Sequence, residues 1–230
     1  MSVPSGATEP DTLAIPIVYR DFLGADLAGG HPDFESSGGD DHSIVTMMLD
    51  AMGKPGYAPG ATGTSPTTHG ETAFLEWYRD TAGVNMTVVD RLTLTRTGAG
   101  TYVFDDGDFF PLDGRGFVGA GTEPARTGGH NFSFTSELRY WFTYAGGETL
   151  SFRGDDDVWV YINRRLALDI GGVHGAESQS ITLDATAAST LGLTVGGIYE
   201  ACVFQAERHT VASSYQLTLR GFNATHSVCT

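Results

Sequence analysis

Basic residues are scarce in this chain. It carries 13 Lys and Arg against 28 Asp and Glu, a formal net charge of −15, and the basic residues form no cluster. Nucleic acid and anionic membrane surfaces both require a basic face, so the charge balance argues against both as partners. No run of 18 apolar residues occurs, and no membrane insertion by a helix is expected. The opening stretch MSVPSGATEPD lacks the apolar core of a signal peptide. That leaves a segment of a longer secreted protein or a cytosolic chain. Cysteine is limited to Cys202 and Cys229, too few for a disulfide scaffold or a thiolate zinc site. One bridge tying the C-terminal tail to a nearby strand and two free thiols both remain open.

What the chain does contain points to strands. Apolar residues make up 40 % of the 230, charged residues only 18 %, and 31 glycines punctuate short segments. TLAIPIVYRDFL (12–23) reads as a first strand. Residues 24–82 read as a long irregular excursion with a short helix at SIVTMMLDAM (43–52) and a better one at ETAFLEWYRDT (71–81). In the latter, Phe74, Trp77 and Tyr78 share a packing face. From residue 84 the hydrophobic period is two. The pairs MTVVDRLTLTRT/TYVFDD, LRYWFTYA/TLSFRG and VWVYI/LALDI read as hairpins, and QSITLDA, IYEACVFQAER and SYQLTLRGF follow. About ten short strands with frequent turns predict one all-β sandwich or barrel domain spanning 1–230.

The stretch FRGDDDVWVYINRR (152–165) stands out within this pattern. Val158, Val160 and Ile162 take one face of a strand, Trp159 and Tyr161 the other. Asp155, Asp156 and Asp157 therefore lie at the strand entrance. Adjacent carboxylates repel unless a cation or solvent offsets them. A hard cation such as calcium takes six to eight oxygens and suits such a loop; a solvated turn is the plainer reading. Arg153-Gly154-Asp155 also spells a cell-attachment tripeptide, but Arg153 ends a strand where such a motif needs an exposed loop tip.

Six motifs in order give a resemblance over residues 13–222: HPDFE (31–35), FFPLDG (109–114), HNFSFTSEL (130–138), YAGGETLSFRGDDDVWVYIN (144–163), LDIGGVHG (168–175) and AERHTVASSYQLTL (206–219). Together they resemble the fibro-slime family, which is similar to the PA14 superfamily of β-sandwich domains. The resemblance implies a jelly-roll-like sandwich. It further implies a calcium ion held by an Asp-Asp pair joined through a cis peptide, here Asp155 and Asp156. A second loop, ERHTVASS (207–214), would add the Glu207 side chain and the carbonyls of His209 and Val211. Beyond the resemblance, Arg208, His209 or His174 is expected to contact flanking sugar hydroxyls, the plainer role of His174 being to satisfy backbone groups in its loop. Where family members commonly have Gly after the Asn of YIN, this chain has Arg164, so a turn of another type is expected there. Glu207 replaces the amide many of the lectins use; its plainer role is a pair with Arg208 or Arg220.

Other candidates are weaker. FDDGDFFPLDG (104–114) offers Asp105, Asp106, Asp108 and Asp113 without EF-hand spacing. His31 and His130 have no Cys or His neighbour at zinc spacing. Three glycosylation sequons begin at Asn85, Asn131 and Asn223. The expected function is a calcium-dependent carbohydrate-binding adhesion module, extracellular or at a cell surface, with a glycan partner, Cys202–Cys229 oxidised, and no catalytic residue. The alternatives are a matrix-interaction domain with stabilising calcium, or a glycoside hydrolase, for which no apolar-shielded second carboxylate is apparent.

Overall fold

A computed structural model describes residues 9–35, 38–60 and 63–222. The strands are β1 (Thr12–Phe22), β2 (Gly39–Asp40), β3 (Asn85–Gly98), β4 (Thr101–Asp106), β5 (Phe134–Thr143), β6 (Thr149–Gly154), β7 (Asp157–Ile162), β8 (Arg165–Ile170), β9 (Gly172–Val173), β10 (Glu177–Thr182), β11 (Ile198–Glu207) and β12 (Tyr215–Arg220). Helices are few and short: α1 (Glu71–Glu76), α2 (Gly116–Gly119) and α3 (Ala185–Leu191). The fold is mostly β, as the period-two pattern requires.

Ten strands form one sheet in the order β10-β6-β12-β4-β3-β1-β5-β11-β7-β8, with antiparallel pairings. The sheet curls so that its two halves face each other as a sandwich around one apolar interior. Phe152 and Leu217 meet Val160 and Val203 there. Its edges come together at a seam, where the Gln179 side chain donates to Asp169 O at 2.6 Å and accepts from Asp169 N at 3.3 Å.

β7 is buried on both faces, and its alternation follows the predicted division. Val158, Val160 and Ile162 enter the sandwich interior. Trp159 and Tyr161 enter a second apolar cluster outside the sheet, beneath the excursion, with Phe74, Trp77 and Tyr78. Truncating either buried indole to Ala would cost about 3–5 kcal/mol. The aromatic stripe at 74–78 is therefore packing, and it seats the excursion on the β7–β11 face.

Several local expectations differ from the structure. The segment 43–52 is not helical. Val45 bridges to Tyr57, Met48 bridges to Arg165, and Leu166 N donates to Met47 O, so its backbone bonds go to the edge of β8 and to its own return. α1 stops at Glu76 because the Asn85 amide takes the carbonyls of Glu76 and Arg79. The pair 138–145/149–154 is no hairpin: β5 is flanked by β1 and β11, while β6 lies in the opposite layer beside β10 and β12. β11 and β12 are likewise unpaired, so no cross-hairpin pair forms between Glu207 and Arg220. The β3/β4 and β7/β8 hairpins are as expected. In the latter the two-residue turn keeps positive φ at both Asn163 (49°) and Arg164 (66°), the conformation Arg was expected to avoid. Contacts hold it there: Leu49 N donates to Arg164 O at 3.0 Å, and the Arg164 guanidinium donates to the carbonyls of Leu49 and Asp50.

Candidate functional site

Two chain crossings set the site. β6 runs up one layer and crosses through Asp155-Asp156 to β7 in the other. β11 runs beside β7 and crosses back, through Arg208–Ser214, to β12 beside β6. Because the strands are neighbours in both layers, the two crossings lie side by side at one end of the sandwich. Gly154 pairs with Tyr215 and Asp157 with Ala206, so the register brings Asp155-Asp156 against Glu207 and its loop. Gly154 permits this approach: a Cβ there would stand 2.8 Å from Ser214 O and 2.6 Å from the Phe152 ring.

The crossings are stapled by hydrogen bonds. Asp156 Oδ2 accepts from the N–H groups of Arg208 (2.8 Å) and His209 (3.1 Å), and Oδ1 from His174 N (3.1 Å). Ser214 Oγ donates to Asp155 Oδ1 at 3.3 Å. The Asp155–Asp156 peptide is trans; no cis peptide occurs among the described residues. The expected cis link is therefore absent. The trans chain already aims the Asp156 carboxylate at three converging N–H groups, which satisfies it without the costly isomer.

A groove of about 310 Å³ opens above the crossings. Asp155, Asp156, His174, His209 and Val211 line it, with Gly38 and Val173 forming a wall. That wall forms where the excursion meets the segment after β8, as β2 pairs with β9. Glu35 props the second loop, accepting from Thr210 N at 3.0 Å while Glu35 N donates to Arg208 O at 2.6 Å.

Glu207 lies beneath the groove and is fully buried. Neither carboxylate oxygen makes a hydrogen bond of good geometry, nor does the buried Ser213 hydroxyl, although Ser213 and the Asp156 carboxyl lie close enough to Glu207 to shift its titration. Burial raises the Glu207 carboxyl well above the usual range, and the Asp156 and Asp155 charges raise it further. Burial likewise pushes Asp156 up, opposed by the N–H and charge of Arg208 and reinforced by Asp157. Asp155 is raised by burial and eased by Ser214 and His174. Buried carboxylates that lack partners are costly. Asp155, Asp156 and Glu207 are the acids that the two crossings bring together, but among the described residues no group of three or more His, Cys, Asp or Glu side chains is arranged to hold a metal ion as it stands.

Arg208 is not a groove residue, contrary to expectation. It is fully buried, and its Nε donates to Asp157 Oδ2 at 2.6 Å. Hence the third aspartate serves an ion pair, not the groove, and Glu207 is left without Arg208 as counter-ion. His174 Nδ1 faces Gly175 O at 2.8 Å and so carries the proton, leaving Nε2 buried and unpartnered. Asp105 and Asp113 are used elsewhere: Asp105 accepts from Gln216 and Arg153, Asp113 from His130 and Asn131 N. Arg153 and buried Asp155 do not form an exposed tripeptide, as expected. Cys202 is a buried free thiol facing Arg139 Nη1 at 3.4 Å. Its expected partner, Cys229, lies outside the described residues, as does the sequon at Asn223.

Residues that sequence reasoning missed include Glu35, Thr67 and Ser213. HPDFE carried a signal as a motif, and its Glu35 turns out to brace the loop at Thr210. Thr67 carries no local signal.

No family model matches the chain. Among curated proteins, psiD of Dictyostelium discoideum is 41 % identical over 183 residues, covering 76 % of this chain and 35 % of psiD. psiC of the same organism is 34 % identical over 198 residues, covering 81 % and 37 %. The chain thus spans a little over a third of these two relatives. Among solved structures, a PA14 sugar-binding domain from an RTX adhesin aligns at TM-score 0.37 and 12 % identity over 90 % of both chains. The PA14 domain of the MpAFP antifreeze protein aligns at TM-score 0.37 and 10 % identity over 97 % of this chain and 89 % of that one. Superpositions this loose carry no argument about ligand or activity.

Proposed function

We propose that this chain, similar over three quarters of its length to Dictyostelium psiD, is a fibro-slime-like, calcium-dependent carbohydrate-binding module of an extracellular or surface protein. One observation carries the reading. Glu207, buried with both oxygens unpartnered, lies under an open groove whose floor is Asp155 and Asp156. Bound there, calcium would supply charge compensation and open coordination positions that vicinal sugar hydroxyls could take. The protein's own part is to hold the acids and to shape the entrance. Asp156 is oriented by three N–H groups, and His174, His209 and Thr210 place polar groups at the rim. Single-site affinity would be weak, and repeated presentation would compensate by avidity.

A second reading has an observation of its own. Because Glu207 is sealed below the groove, the calcium could serve stability alone, as in a matrix-interaction domain. A glycosidase is less well supported. The expectation that no shielded carboxylate exists is corrected by Glu207, but that group does not reach the groove, and a general acid must contact the glycosidic oxygen. The test is a glycan array probed with calcium and with chelator, alongside calcium titration calorimetry. Glycan binding lost on chelation supports the lectin. Calcium binding with no glycan leaves the matrix domain, glycan binding to the chelated protein overturns the metal-bridged reading, and glycoside turnover identifies an enzyme.

A further inference from the structure

We infer that Arg208 is a positioning residue: its buried side chain locks the second loop to the excursion and so presets the acids of the proposed site. The inference rests on the calcium reading above for its functional meaning, but the lock itself is a matter of geometry. Arg208 Nε donates to Asp157 Oδ2 (2.6 Å), Nη1 to Thr67 O (2.6 Å) and Nη2 to Thr67 Oγ1 (3.1 Å). The guanidinium lies over the Trp77 ring, 4.6 Å from its centroid. The Thr67 hydroxyl and N–H pass the contact on to Asp41 Oδ2 (2.6 and 3.2 Å), and Asp41 N donates to Gly171 O (2.9 Å), at the start of the segment that carries His174. The backbone of the same residue meets the site: Arg208 N donates to Asp156 and Arg208 O accepts from Glu35.

A planar fork with three of its five N–H donors aimed at fixed acceptors is a rigid anchor, which a Lys ammonium cannot reproduce. With the side chain fixed on one side, the N–H groups of 208 and 209 are held against Asp156 before any ligand arrives. The excursion thereby acts at the site through Thr67, although Thr67 does not line the groove. Charge alone predicts the reverse effect. Removing a cation beside an acidic cluster would tighten calcium, whereas removing an anchor would weaken it.

The test compares Arg208→Lys, the charge-neutral double variant Arg208→Met/Asp157→Leu, and Thr67→Val. Replacing a buried ion pair by apolar groups often leaves stability unchanged or raised, so the double variant separates anchoring from folding. Thr67→Val serves if the Arg208 variants do not fold. Calcium affinity is read by calorimetry, and melting is read with chelator. The expected result is a calcium affinity weaker by about 10- to 100-fold, the scale of lost supporting contacts at metal sites, in variants that melt near the parent. Parental affinity in these variants overturns the inference. Amide exchange at His174, Arg208 and His209 in chelated protein is the second readout. If the parent binds no calcium, the site reading fails while the lock is still judged: faster exchange at these amides supports it, and unchanged exchange overturns it.

Discussion

Asp156 Oδ2 accepts the backbone N–H of Arg208 at 2.8 Å, across 52 residues of sequence. This bond joins the two layer crossings directly. Asp156 is thus a structural acceptor as well as a candidate ligand, and Asp156→Ala would confound the two roles. Glu207 is the cleaner probe, since its oxygens hold nothing together.

Glu207→Gln should therefore stabilise the chelated protein and abolish the calcium response. Because burial raises the Glu207 carboxyl well above the usual range, the gain appears at pH high enough to ionise it, where removing the buried charge should gain about 1–3 kcal/mol. The parent should melt higher with calcium, by mass action on the native state. Melting curves with calcium and with chelator check both signs. A variant that keeps the parental calcium shift excludes Glu207 from the site.

Position 164 isolates the cost of backbone conformation. Arg164→Gly and Arg164→Ala both lose the contacts to Leu49 and Asp50. Only Ala keeps a Cβ at φ 66°. Gly should be more stable than Ala by about 1 kcal/mol, measured by urea unfolding. Equal stabilities would mean that the turn relaxes out of the left-handed region.

Asp21 predicts a pH dependence away from the site. Burial raises its carboxyl to about 6, against hydrogen bonds from Asn131 and Phe117 N. The native state then takes up a proton before the unfolded chain, whose aspartates titrate near pH ~3.9. This group's contribution to stability is fully present below that value and lost as pH rises through about 6. Relative to Asp21→Asn, the parent should gain about 2–3 kcal/mol between pH ~7 and ~4. A constant gap across that window, by unfolding at several pH values, would place the Asp21 carboxyl in the ordinary range.

Two sequons should stay bare. Asn131 is buried and donates to Asp21 Oδ1 at 2.8 Å, while the Asn85 amide is spent on Glu76 O, Arg79 O and Thr81 N. Expressed through a eukaryotic secretory pathway, the folded protein should show no glycan on either asparagine by peptide mass spectrometry. Occupancy at Asn131 in folded protein would contradict its burial.

The sequence by itself determined the features that depend on near neighbours. Strand faces such as Val160 against Trp159 follow from the two-residue period, because successive side chains must point to opposite sides. The β3/β4 and β7/β8 hairpins and the acidic loop at the entrance of β7 were legible for the same reason, whereas the equally short turn after β5 leads into the other layer. Tertiary structure alone decided which strands pair across layers, that 43–52 extends along β8, and that Arg208 faces inward. Nothing local marks these. An arginine reads as a solvent-facing group until a counter-ion such as Asp157, 51 residues away, offsets its burial. Glu207 is the same case with the opposite outcome: its residue type suggested a ligand, but only the packing of two crossings shows a carboxylate enclosed without a partner.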